Sequence, residues 1–131
     1  MSGGSDARPP DGRVGLGAAG ERLAAWQLEQ RGYVILARNV RLPGGEIDLV
    51  ARQGGCLVIV EVRLRRGAPV DAALASITPA KQRRLRRLTA HYCSTLEQEP
   101  DAVRIDVVAI SLDREGRPNS VVVVKNAVEA E

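Results

Sequence analysis

The segment 43–66, PGGEIDLVARQGGCLVIVEVRLRR, restricts the fold more than any other part of this 131-residue chain. Two apolar runs flank Gly54-Gly55. That dipeptide suits a two-residue hairpin loop, because glycine accepts positive φ without steric cost. With Gly54-Gly55 as the loop, Gln53 pairs with Cys56. Counting outward then sets Asp48 opposite Glu61 and Glu46 opposite Arg63. Directly opposed side chains stand about 4.5–5.5 Å apart at Cβ. Glu46 and Arg63 would form an ordinary cross-strand ion pair. Asp48 and Glu61 would repel each other, and something must offset that repulsion. A shared proton would do so, and so would a divalent cation. Mg²⁺ is commonly held by one or two carboxylates, with water and phosphate oxygens completing its shell. Spacing alone leaves open the plainer alternative of two solvated acids, each paired with an arginine.

Strand side chains alternate faces. In the second run Val58, Val60, Val62 and Leu64 share an apolar face that must pack against another layer. Leu57, Ile59, Glu61 and Arg63 share the other. In the first run Glu46, Asp48 and Val50 are grouped against Ile47, Leu49 and Ala51.

The remaining chain supplies the layers around this hairpin. Residues 1–14 are rich in Gly, Pro, Asp, Arg and Ser and read as an arm without a fold of its own. Residues 15–131 then form one domain. A helix is expected over 17–31, with Leu16, Ala19, Leu23 and Trp26 at helical spacing and Gly32 as terminator. Glu21 falls near its start. YVILARNVRL reads as a strand before the hairpin. Residues 65–76 carry turn residues and read as a loop. Thr78-Pro79 marks a helix start, with Thr as N-cap and Pro at the first helical position, and that helix runs to about Leu96. AVRIDVVAISL is a fourth strand, DREGRPNS a turn, and VVVVKNAV a fifth strand at a sheet edge. A helix lies between the third and fourth strands, so the sheet should be mixed.

One Trp, two Tyr and no Phe leave the core to Val, Leu, Ile and Ala. Cys56 and Cys93 lack CxxC spacing and there is one His, which argues against structural zinc and a disulfide framework. No apolar run has membrane-spanning length, so no membrane role and a cytoplasmic location are expected.

The motifs GEIDLV and VIVEVRLR, with GAAGERLAAWQLEQRGYVILARN before them and ITPAKQRRLRRLTAHY and VRIDVVAI after them, resemble the YraN-like family of small bacterial proteins. The match runs in order over 17–110. That family is similar to compact members of the PD-(D/E)xK nuclease superfamily, related to archaeal Holliday-junction resolvases. The resemblance implies an α/β, restriction-endonuclease-like αβββαβ core with a mixed central sheet flanked by helices. It also implies Mg²⁺ or Mn²⁺ on Asp48 and Glu61, with Glu21 as an accessory acid, and action on DNA, including branched DNA. Related resolvases act as homodimers. One departure stands out: the superfamily motif ends E-x-K, whereas here it reads Glu61-Val62-Arg63. Arginine stays protonated and cannot serve as a base, but it can clamp phosphate.

Lys81, Arg83, Arg84, Arg86 and Arg87 crowd two turns of the second long helix, near Arg63, Arg65 and Arg66 in sequence. Lys81, Arg83, Arg84 and Arg87, together with Arg65, are the candidate nucleic-acid contacts, since such clusters neutralise phosphates. The shortage of aromatics argues against base stacking. Arg104 and Asp106 share a face of the fourth strand and read as a structural ion pair. Three functions remain open. The first is a metal-dependent endonuclease using Asp48, Glu61, Arg63 and Glu21. The second is a nucleic-acid-binding protein on the same fold with weak or absent catalysis, since E-x-K reads E-x-R. The third is a protein–protein adaptor.

Overall fold

Three hairpins and one long crossover generate the sheet. The structure, a computed structural model, describes residues 12–129, with side chains from residue 17 onward. The order is α1 (Gly12–Gln30), β1 (Val34–Leu42), β2 (Gly45–Gln53), β3 (Cys56–Arg66), α2 (Val70–Ala75), α3 (Pro79–Ser94), β4 (Ala102–Leu112) and β5 (Pro118–Val128). The five strands lie in sequence order, β1-β2-β3-β4-β5. β3 and β4 are parallel, and the other neighbours are antiparallel. Parallel strands cannot be joined by a tight turn, and α2 and α3 make the crossover. The expected mixed α/β sheet flanked by helices is present, with β5 at an edge.

The Gly54-Gly55 hairpin has the expected register. Gln53 pairs with Cys56, and Arg52, Ala51, Val50 and Leu49 follow against Leu57, Val58, Ile59 and Val60. Gly54 takes φ +58°, the left-handed conformation that the turn demands. Thr78 caps α3 as expected: its Oγ1 accepts from the Lys81 N–H at 3.2 Å, and Pro79 sits in the first turn.

Two buried layers sandwich the sheet. On one side Ala24, Ala25 and Leu28 of α1 meet Leu49, Ala51, Val58, Val60, Val108 and Ile110. On the other, Leu85 and Leu88 of α3 meet Ile47, Val50, Leu57, Ile59 and Ile105. Each fully buried Leu or Ile contributes about 1.5–3 kcal/mol relative to exposure. α1 comes so near β3 that a Cβ on Gly20 would lie 2.5 Å from Leu64 Cδ1.

Several expectations are corrected. The arm expected over 1–14 lies mostly outside the described residues, and positions 12–14 already belong to α1. Glu21 is consequently well inside that helix. Trp26 is 53% exposed, because α1 turns its small residues Gly20, Ala24 and Ala25 to the sheet, and a bulky ring would hold it off. Residues 65–76 are not all loop: β3 continues to Arg66 and α2 occupies Val70–Ala75, burying Ala73. β5 starts at Pro118, inside the expected turn, and α3 ends at Ser94. Among the described residues no helix is long and apolar enough to cross a membrane.

Arg104 and Asp106 are structural, as anticipated. Asp106 is fully buried, with 0% exposure. Its carboxylate accepts from Tyr33 Oη at 2.7 Å, Arg104 Nε at 2.9 Å and the Asn126 backbone N–H at 2.9 Å. Arg104 also reaches Gln53 Oε1 at 2.6 Å. One carboxylate thereby ties the α1–β1 junction to β4, to β5 and, through Arg104, to the β2–β3 turn. Burial and the Asp106 charge push the Tyr33 phenol up to about 12, so it remains a donor at all physiological pH. Replacing Asp106 with Ala should therefore cost roughly 3–5 kcal/mol in urea unfolding, whereas Tyr33→Phe should cost about 1–2 kcal/mol. A cost for Asp106→Ala no larger than for Tyr33→Phe would show that the carboxylate is not the organising group.

Candidate functional site

The regular β2–β3 ladder stops at Leu49↔Val60. One residue further, the Val62 backbone N–H donates to Asp48 Oδ2 at 2.8 Å. The carboxylate thus stands in for a strand carbonyl. Alternation breaks at the same point, since Ile47 packs with Val50 in the α3-side layer and not with Leu49 on the α1 side. The grouping of Ile47 with Leu49 and Ala51, expected from strict period two, fails here. At this point the β2–β3 pairing has ended, and the facing β1 residue Asn39 takes φ +52°.

Asp48 and Glu61 line one cleft of about 230 Å³, together with Gly45, Glu46, Lys81, Arg84, Leu85 and Leu88. β2 and β3 contribute the acids, and α3 contributes the cations. Glu61 is held by Arg63, whose Nη1 donates to Glu61 Oε2 at 3.1 Å. Arg63 Nε donates to Ser76 Oγ at 2.8 Å, and Ser76 in turn donates to the Ala73 carbonyl of α2. The expected Glu46–Arg63 pair is replaced by this Glu61–Arg63 pair. Arg63 turns along its own strand toward the end of α2, which leaves Glu46 exposed at the cleft.

Burial, reinforced by the Glu61 charge, pushes the Asp48 carboxyl from the ordinary value near 3.8 up to about 7. Glu21 and Glu46 add to the rise, and the Val62 N–H opposes it. Glu21 therefore belongs to the electrostatic neighbourhood of Asp48. Its Oε1 accepts from Asn39 Nδ2 at 2.8 Å. Asn39 lies in β1 between the pairs Arg38↔Leu49 and Val40↔Ile47, beside Asp48, with φ +52°.

The basic residues divide. Lys81 and Arg84 line the acid cleft. Arg83 and Arg87 line a different groove with Arg86, and Arg65 lies farther along β3, donating to the Leu64 carbonyl. Glu46, Asn39 and Ser76 were not among the sequence candidates. Glu46 shares the face of Asp48 by period two and could have been found. The roles of Asn39 and Ser76 depend on contacts across 18 and 13 residues and left no local signal.

Each acid of the pair uses one oxygen in the contacts above, at Asp48 Oδ2 and Glu61 Oε2. A second oxygen on each is left for a hard cation, which would also relieve the charge that raises Asp48. Among the described residues no three His, Cys, Asp or Glu side chains form a ready metal cluster. The donor set fits Mg²⁺ or Mn²⁺ only with water and phosphate oxygens completing the shell, the usual arrangement for Mg²⁺.

The profile of the uncharacterised protein family UPF0102 matches residues 20–110 of the chain. The chain belongs to this family. A UPF0102 protein of Symbiobacterium thermophilum is 49% identical over 102 residues, covering 78% of this chain and 86% of that protein. A UPF0102 protein of Leifsonia xyli subsp. xyli is 46% identical over 95 residues, covering 72% and 80%. One from Roseiflexus castenholzii is 45% identical over 118 residues, covering 89% and 95%. For this UPF0102 protein, the matched region holds both acids, Arg63 and all of α3.

An acid with a raised folded pKa binds its proton more tightly when folded. Stability then falls as pH rises from about 4 toward 7 and is flat above that window. Asp48→Asn removes this loss. In metal-free thermal scans the variant should gain melting temperature over wild type at pH 8, and gain less at pH 5. A gap that is larger at pH 5 would contradict a raised Asp48 carboxyl.

Proposed function

We propose that this UPF0102 protein is a nucleic-acid-binding, metal-dependent endonuclease of the PD-(D/E)xK type on a restriction-endonuclease-like core. One observation carries the reading. The 230 Å³ cleft has acids on its sheet wall and Lys81 and Arg84 on its helix wall. Among the described residues no ion pair closes it. Facing charges held apart leave room for a cation against the acids and a phosphate against Lys81 and Arg84.

Asp48 and Glu61 would hold Mg²⁺ or Mn²⁺, which supplies Lewis-acid polarisation of a phosphoryl oxygen and of water when bound. The Val62 N–H fixes the Asp48 carboxylate, and Arg63 fixes that of Glu61. Lys81 and Arg84 neutralise the charge of a phosphodiester in the cleft and orient it. Glu21, held through Asn39, raises the negative potential at Asp48. Leu85 and Leu88, both buried against the sheet, complete the lining of the cleft. Apart from the short α2 inserted after β3, the order α1-β1-β2-β3-α3-β4 agrees with the αβββαβ core of that superfamily.

Arg63 favours a second reading, a binding protein without cleavage. Its guanidinium is engaged by Glu61 and Ser76, and no lysine follows Glu61 at the E-x-K position. Duplex, single-stranded and four-way-junction DNA incubated with and without Mn²⁺ separates the two. The nuclease reading expects Mn²⁺-dependent cleavage that Glu61→Gln abolishes while affinity stays within a few-fold. It also expects Arg63→Lys to raise cleavage, because a compact ammonium replaces the planar fork. Binding without cleavage in wild type and in Arg63→Lys would establish the second reading.

A further inference from the structure

α3 carries cations on two flanks, and the acid cleft uses only one. Lys81 and Arg84 face the cleft. Arg83, Arg86 and Arg87 line a separate groove of about 560 Å³ with Thr89, Ala90, Cys93 and Val103. At 3.6 residues per turn, Arg84 and Arg86 point roughly 160° apart around the helix axis. Arg83 and Arg87 are exposed between them, while Leu85 and Leu88 hold the opposite side to the sheet. None of Arg83, Arg84, Arg86 and Arg87 has a hydrogen-bonding or ion-pairing side-chain partner among the described residues. Arg63, Arg104 and Arg117, by contrast, are all paired with acids. Uncompensated guanidinium groups on both flanks of one helix with an exposed outer face are suited to two separate lines of phosphate.

We propose that the Arg83–Arg86–Arg87 groove binds the second backbone of a B-form DNA duplex, with α3 seated in the major groove between the two strands. This rests on the nucleic-acid reading above and adds the form of the substrate. An α-helix with its side chains is about 10–12 Å across, and the B-DNA major groove is about 12 Å wide. Cations on opposite flanks of such a helix meet the phosphates bounding that groove, one strand at the acid cleft and the other at the 560 Å³ groove. A single strand can occupy only one flank at a time. An A-form RNA duplex has a major groove too deep and narrow to admit the helix.

Cys93 lines the groove and gives it a chemical reporter. Burial and Glu99 raise its thiol pKa, so alkylation is best read at alkaline pH. Cys56 packs on the α1 side of the sheet and serves as an internal reference. The full chain, in Ca²⁺ so that no strand is cut, is treated with N-ethylmaleimide alone and with saturating DNA duplex, single-stranded DNA or RNA duplex. The modified peptides are quantified by mass spectrometry. DNA duplex should slow Cys93 alkylation several-fold while leaving Cys56 unchanged, and the other two should protect Cys93 far less. In parallel, substituting Gln at Arg83, Arg86 and Arg87 together should erase the preference for duplex over single-stranded DNA. The salt slope of duplex binding should flatten by about one log unit per lost phosphate contact. Equal protection by single strands or RNA duplex would overturn the major-groove seating. So would duplex binding that leaves Cys93 unprotected and the triple variant's preference intact, with the nucleic-acid reading surviving. Absence of binding to any nucleic acid would overturn both.

Discussion

The hydrogen bond from the Val62 N–H to the Asp48 carboxylate is the contact on which the site depends. It ends the regular pairing of β2 with β3 by replacing a backbone acceptor with a side-chain one. A carboxylate that satisfies a strand N–H cannot retreat to solvent, so it stays beside Glu61 despite the repulsion between them. The β2–β3 junction therefore stores unfavourable electrostatics at one point, as functional sites commonly do. The surrounding contacts keep that point in place: Arg63 holds Glu61, and Asn39 holds Glu21 nearby.

A second polar centre has the opposite character. Asp106 is more deeply buried than Asp48, yet Tyr33, Arg104 and the Asn126 N–H satisfy it. Its partners come from separate parts of the chain, so it fastens the end of the sheet nearest the β2–β3 turn. Asp48 and Asp106 thus have different fates. One has its charge balanced and supports the fold. The other has its charge left unbalanced beside an open cleft, and such imbalance is what a cation or a proton relieves.

Much of the fold was legible in the chain because its signals are local. Gly54-Gly55 specified the hairpin register, Thr78-Pro79 specified the start of α3, and the β-branched runs marked the strands. The errors arose where tertiary packing overrides pattern. Trp26 sits at helical spacing with Leu23 but is exposed, because close approach of α1 to Leu64 favours Gly20 and the alanines at the contact. α2 leaves no periodic signal in the sequence, since six residues beginning after Gly-Ala-Pro hold too few turns. The break in alternation at Asp48 was invisible, because period two is a property of regular strands only.

By itself the sequence determined the order of the five strands and the two long helices, the mixed sheet implied by a helical crossover, and the approach of Asp48 to Glu61, since each follows from short-range spacing and backbone geometry. Only the tertiary structure decided where the charges go. Contacts between α3, α2 and the sheet turned Arg63 away from Glu46 toward Ser76, brought Lys81 and Arg84 over the acids, and set Arg83, Arg86 and Arg87 along a separate groove. A run of arginines has the same composition whichever way its helix is rotated. The rotation was set by Leu85 and Leu88 packing against the sheet, a constraint that exists only once both layers are assembled.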